Sequence, residues 1–283
     1  VVDKREDSTQ TTTGFAEVNG TRLYYEVAGS GRALVLMHGE PGDTRVWDDQ
    51  FEPFSWHYQV VRYDRRGFGK SALPSQEGYQ GYTDTEDLLA LLEHLEIGRA
   101  YLIGHSAGGN LATLFAITRP ETVEALVLVD AVLWGFPRSP EYEEFSAAVY
   151  KRAREAGPKA ANELFRNNPV SAASRENPAV AARLDAILSE YSGWHWTYNG
   201  PWRVDPRYGD ADRSPAERLE EIIAPTLIIV GDRALPFQQA RADYYREHVR
   251  GAQKVVFPGV GHSVMMETPT RFNETVLSFL AGI

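Results

Sequence analysis

The sequence predicts an α/β protein: a mostly parallel, doubly wound sheet with a helical segment inserted ahead of its last strands. Three observations predict it. Short, almost continuously apolar runs rich in β-branched residues recur along the chain, as in strands buried on both faces of a parallel sheet. Amphipathic helical patterns alternate with them, the element order of an open sheet covered on both sides. The alternation lapses between residues 133 and 223, where helical patterns continue without a convincing buried strand.

Residues 1–13 are polar and Thr-rich, read as a loose tail, and lack the basic start and apolar stretch of a secretory signal. Residues 15–18 and 21–27 form a hairpin around Asn19-Gly20, a dipeptide that accepts positive φ in a tight turn. The buried strands follow at residues 33–37, 59–63, 100–103, 125–129, 226–230 and 253–257. Between them, residues 84–96 carry Leu88, Leu91, Leu92 and Leu95 on one helical stripe. A helix continues through residues 111–118, and Thr268-Pro269 supplies a cap and first-turn proline for the last one. Residues 140–155 and 178–191 are amphipathic helices of the insertion. The expected organisation is a core of residues 1–132 and 224–283 with a helical cap at 133–223.

Composition narrows the function. With 43% hydrophobic and 24% charged residues the chain has the balance of a soluble globular protein. No apolar run approaches the roughly 20 residues of a spanning helix, and a cytoplasmic location is expected. The absence of cysteine removes thiolate nucleophiles and cysteine-bound metals together. A net charge of −10 disfavours nucleic acid and anionic membranes as partners. A small-molecule substrate is expected, with no cofactor and no metal. Oligomeric state is not legible.

Gly104-His105-Ser106-Ala107-Gly108 follows one buried strand and precedes a helix, the setting in which G-x-S-x-G carries a nucleophile. Such a turn exposes the serine above the sheet, and small residues beside it let backbone atoms pack closely. His38-Gly39-Glu40-Pro41-Gly42 follows another strand, and its backbone is suited to an oxyanion donor. The expected donors are the backbone N–H groups of Glu40 and Ala107, each worth about 10²–10³ in rate. His38 is expected to brace this loop, and the Glu40 side chain to turn away from the oxyanion. Among seven histidines, His262 alone ends a glycine-rich loop, Gly259-Val260-Gly261, after the last strand.

These features resemble the α/β-hydrolase superfamily, from the hairpin to the last helix, and Asp64-Arg65-Arg66-Gly67-Phe68-Gly69-Lys70-Ser71 is similar to its structural D-x-R-G-x-G-x-S turn. The resemblance implies a triad in the order serine, acid, histidine, with Ser106 as nucleophile and His262 as base. The acid departs from the pattern. Many members carry G-x-x-D after the strand matching residues 226–230, but here Ala234 stands at the aspartate. Asp130, directly after the preceding strand, is the first candidate and Asp232 the alternative; a missing acid is the third reading.

The expected chemistry is serine-dependent hydrolysis of an ester or lactone through an acyl-enzyme. Epoxide and haloalkane hydrolysis fit poorly, since those relatives use an aspartate where this chain has Ser106. A ligand-binding or weakly active receptor-like protein, or a lyase or cyclase, remains open on the same scaffold. Trp134, Trp194, Trp196 and Trp202 concentrate in the insertion. They either pack it onto the core or line an apolar pocket.

Overall fold

The computed structural model describes residues 10–74, 83–197 and 213–283. The apolar runs form one sheet in the order β1-β2-β4-β3-β5-β6-β7-β8. Its strands are β1 Thr12–Val18, β2 Thr21–Ala28, β3 Ala33–Met37, β4 Gln59–Tyr63, β5 Ala100–His105, β6 Val123–Val129, β7 Thr226–Gly231 and β8 Gln253–Phe257. The β1/β2 and β2/β4 pairs are antiparallel, and the other neighbours are parallel. Asn19 and Gly20 turn the first hairpin with φ of 45° and 68°. Thr12 and Thr13 correct the tail reading, because they pair with Val27 and Glu26 as part of β1. β-branched threonine suits that edge, and a cross-strand partner is invisible in local polarity.

The helices are α1 Asp48–Ser55, α2 Thr83–His94, α3 Ala107–Thr118, α4 Pro140–Ala156, α5 Pro158–Phe165, α6 Pro178–Glu190, α7 Pro236–His248, α8 Val264–Glu267 and α9 Pro269–Ala281. Strand pleating sends alternate side chains to opposite faces. Val35 and Met37 of β3 join one core layer with Leu88 of α2, Phe115 of α3 and Tyr245 of α7. Leu34 and Leu36 join the other with Phe54 of α1 and Phe272 and Val276 of α9. The sheet is therefore covered on both faces. Helix α2 ends at His94, two residues before the expected Glu96, whose φ of 56° lies outside helical space. Between β6 and β7 the described residues hold helices and no strand. No described helix is long and apolar enough to cross a membrane.

Parallel strands bring their carboxyl ends to one edge, where open α/β sheets bind ligands. His38 to Glu40 leave β3 there, Ser106 leaves β5, Asp130 leaves β6, Asp232 leaves β7, and the loop carrying His262 leaves β8.

Candidate active site

Ser106 joins β5 to α3 with φ 52° and ψ −118°, a conformation costing a non-glycine residue on the order of 1–3 kcal/mol. Its surroundings fix it. The Ser106 N–H donates to the Val129 carbonyl at 3.0 Å, and the Ser106 carbonyl accepts from Val132 at 2.9 Å and Gly109 at 3.0 Å. A Cβ at Gly108 would lie 2.3 Å from the Met37 carbonyl oxygen, a backbone atom that cannot swing aside. Gly108→Ala is therefore expected to lower stability by about 1–3 kcal/mol, read from the denaturant midpoint. Gly98→Ala, where an added Cβ meets nothing within 4 Å, is the control.

The loop after β3 packs directly on this turn, since a Cβ at Gly39 would meet Ser106 Cβ at 2.8 Å. His38 Nε2 accepts the Arg65 N–H at 2.9 Å. Burial, reinforced by Arg65, pushes the His38 imidazole down to about 4, so it braces the loop as a neutral ring. The Glu40 side chain is paired, its Oε1 accepting from Arg65 Nη2 at 3.3 Å, and the residue borders the cavity beside Ser106. Arg65 is buried and also paired with Asp84, which anchors the contact. Lost hydration raises the Glu40 carboxyl above the usual carboxylate range against the pull of Arg65. Ala107 opens α3, so its N–H is one of the helix donors without an intrahelical acceptor. Glu40, Ala107 and Ser106 share one cavity wall.

His262 is buried, and its Nδ1 lies 2.7 Å from Asp130 Oδ2. The His262 carbonyl accepts from His105 Nε2 at 3.1 Å. Its loop is braced from α8: the Glu267 carboxylate accepts from Gly261 N at 2.9 Å, Ser263 N at 3.1 Å and Ser174 Oγ at 2.6 Å. Among the described residues Ser106 and His262 are not directly hydrogen-bonded, but both line a small pocket of about 60 Å³, and such contacts often tighten only around substrate. Asp130 is 2% exposed, whereas Asp232 lies at the surface, where its Oδ1 accepts the Gly259 N–H at 2.7 Å. Two side chains not foreseen from sequence, Gln238 and Arg241 of α7, also reach Asp130, at 2.6 Å and 3.3 Å. Their spacing of three residues on a helix was the available sign that they share a face.

A larger cavity of about 380 Å³ opens beside Ser106, within the range of small-molecule sites. Trp134 and Trp196 line it together with Leu111, Val149, Tyr150 and Phe165. Trp196 is anchored by Nε1 donating to Asn162 Oδ1 at 2.7 Å. Trp194 does not line that cavity: its ring covers Gly67 and meets Phe68 edge-on. Trp202 lies outside the described residues. Among the described residues no group of three or more His, Asp or Glu side chains is placed to hold a metal ion.

Residues 34–275 match the alpha/beta hydrolase family. The chain is 29% identical to a 2-hydroxy-6-oxononadienedioate/2-hydroxy-6-oxononatrienedioate hydrolase of Burkholderia vietnamiensis, covering 92% of this chain and 91% of the relative. The solved enol-lactonase of Burkholderia xenovorans is similar at TM-score 0.78 and 26% identity, covering 95% of this chain and 100% of the other. A thermophilic esterase of Thermogutta terrifontis is similar at TM-score 0.78 and 26% identity, with 96% and 98% covered.

Proposed function

The chain belongs to the alpha/beta hydrolase family, and from that premise we propose that it is a serine hydrolase cleaving an ester or lactone of a small, largely apolar substrate. The observation that carries this reading is the meeting of Ser106, on its strained turn, with the Asp130–His262 pair at one sheet edge. In this mechanism Asp130 holds His262 with its proton on Nδ1, leaving Nε2 to take the Ser106 proton. Ser106 attacks the carbonyl, the N–H groups of Glu40 and Ala107 receive the oxyanion, and collapse of this intermediate breaks the ester bond as His262 gives its proton to the departing alcohol oxygen. Water then releases the acyl group with His262 again as base.

The pairing of the cavity charges supports the apolar-substrate part of this reading. Arg65 pairs with Asp84 and Glu40, Arg138 with Glu143, and Arg241 with Asp130. Aromatic and aliphatic side chains such as Leu111, Val149 and Phe165 then offer neutral surface for contact. The helices between β6 and β7 act as the cap, contributing Tyr150, Phe165 and Trp196 to that surface.

A series of p-nitrophenyl esters, run beside simple lactones, tests the reading. Each added acyl methylene is worth about 0.8 kcal/mol when buried. The value of kcat/KM should therefore rise about fourfold per carbon until the cavity is filled. No turnover across the panel would overturn the hydrolase reading, and a flat profile would return Trp134 and Trp196 to packing alone.

A further inference from the structure

Asp130 follows β6 with a left-handed φ of 39°, and its carboxylate is shared. Oδ1 faces Arg241 Nη2 at 3.3 Å, while Oδ2 accepts from Gln238 Nε2 at 2.6 Å and meets His262 Nδ1 at 2.7 Å. All four side chains are buried. The Gln238 amide is itself oriented, because its Oε1 accepts the Leu235 N–H at 3.0 Å at the start of α7. Its NH₂ is thereby turned toward Asp130.

Arg241 is a full charge and competes with the neutral imidazole for the carboxylate. A second donor on Oδ2 keeps that oxygen from rotating toward the guanidinium. Gln238 Nε2 also lies 3.1 Å from His262 Nδ1. Two donors cannot bond each other, so with Oδ2 between them both give their protons to it. If Asp130 swung away, the amide would donate to Nδ1 instead and select the tautomer that cannot accept the serine proton. Resting on the serine-hydrolase reading above, we propose that Gln238 is a positioning residue that holds Asp130 on His262, an anchor supplied from α7 for an acid that follows β6.

The test is Gln238→Met, similar in size but without a donor, assayed with p-nitrophenyl butyrate per active site titrated by fluorophosphonate. The expected result is a kcat lower by about 10- to 100-fold, the weight of a hydrogen bond to a charged group, with KM within about twofold. In an Asp130→Asn background the same substitution should change kcat less than about twofold, since the group it acts through is gone. Gln238→Asn, which keeps an amide but withdraws it by one methylene, should show the same loss if the methionine variant does not fold. Parent-like kcat in the folded variants, or an equal loss in both backgrounds, overturns the proposal. Ser106→Ala, assayed with the same ester but per mole of folded protein, separates the two readings. If it keeps full turnover, the serine mechanism fails and Gln238's role with it; if it abolishes turnover while Gln238 variants match the parent, only the positioning role falls.

Discussion

Ser106→Ala is expected to lower kcat for p-nitrophenyl butyrate by about 10⁶-fold, the loss seen when a serine nucleophile that acts as a unit with its base is removed. Covalent labelling by an alkyl fluorophosphonate should vanish with it, because the reagent needs the serine oxygen. The alanine side chain keeps the strained φ of 52° at this position, so the fold should be little changed in stability. Ser106→Gly separates strain from chemistry. Relief of the left-handed backbone contributes about 1–3 kcal/mol, and the greater unfolded-chain freedom of glycine offsets about 0.5–1 kcal/mol. The glycine variant should therefore be inactive yet more stable than the parent by about 1 kcal/mol in chemical denaturation. Labelling that persists in Ser106→Ala would move the nucleophile elsewhere.

The serine turn is legible because its requirements are local: consecutive small residues between a buried strand and a helix leave few other folds for that stretch. The convergence of Ser106, Asp130 and the His262 loop is legible one level up, since parallel strands must deliver their carboxyl ends to one edge. Directions of side chains are not legible in the same way. Four tryptophans in one segment read alike, yet Trp196 lines the cavity while Trp194 covers Gly67. The partner of Glu40 is equally hidden, since Arg65, which donates to its carboxylate, lies 25 residues on. Gln238 and Arg241 look like the ordinary polar residues of an amphipathic helix. Only the packing of α7 beside β7 and β8 turns that face toward Asp130. Thr12 and Thr13 fail for a related reason, as their partners lie across the hairpin.

Asp130→Asn is expected to lower kcat by about 10⁴-fold, the effect of losing the carboxylate that fixes the tautomer and stabilises the imidazolium. A helix-capping or turn-forming aspartate would behave differently, costing about 1 kcal/mol of stability and leaving the rate almost unchanged. The geometry favours the first outcome: both oxygens of Asp130 are directed at His262, Gln238 and Arg241, none of them a helix N–H. The substituted amide still fills the site but leaves Arg241 without its counter-charge, so stability should be measured separately and kcat taken per titrated site. Asp232→Asn should stay within about tenfold of the parent, because Asp232 is exposed and its Oδ1 is engaged by the Gly259 N–H. The reverse ranking would assign the acid to Asp232. A third outcome is distinct: if neither change matters and Ala234→Asp raises kcat, the parent lacks a working acid, and a weakly active, ligand-binding protein becomes the better description of this site.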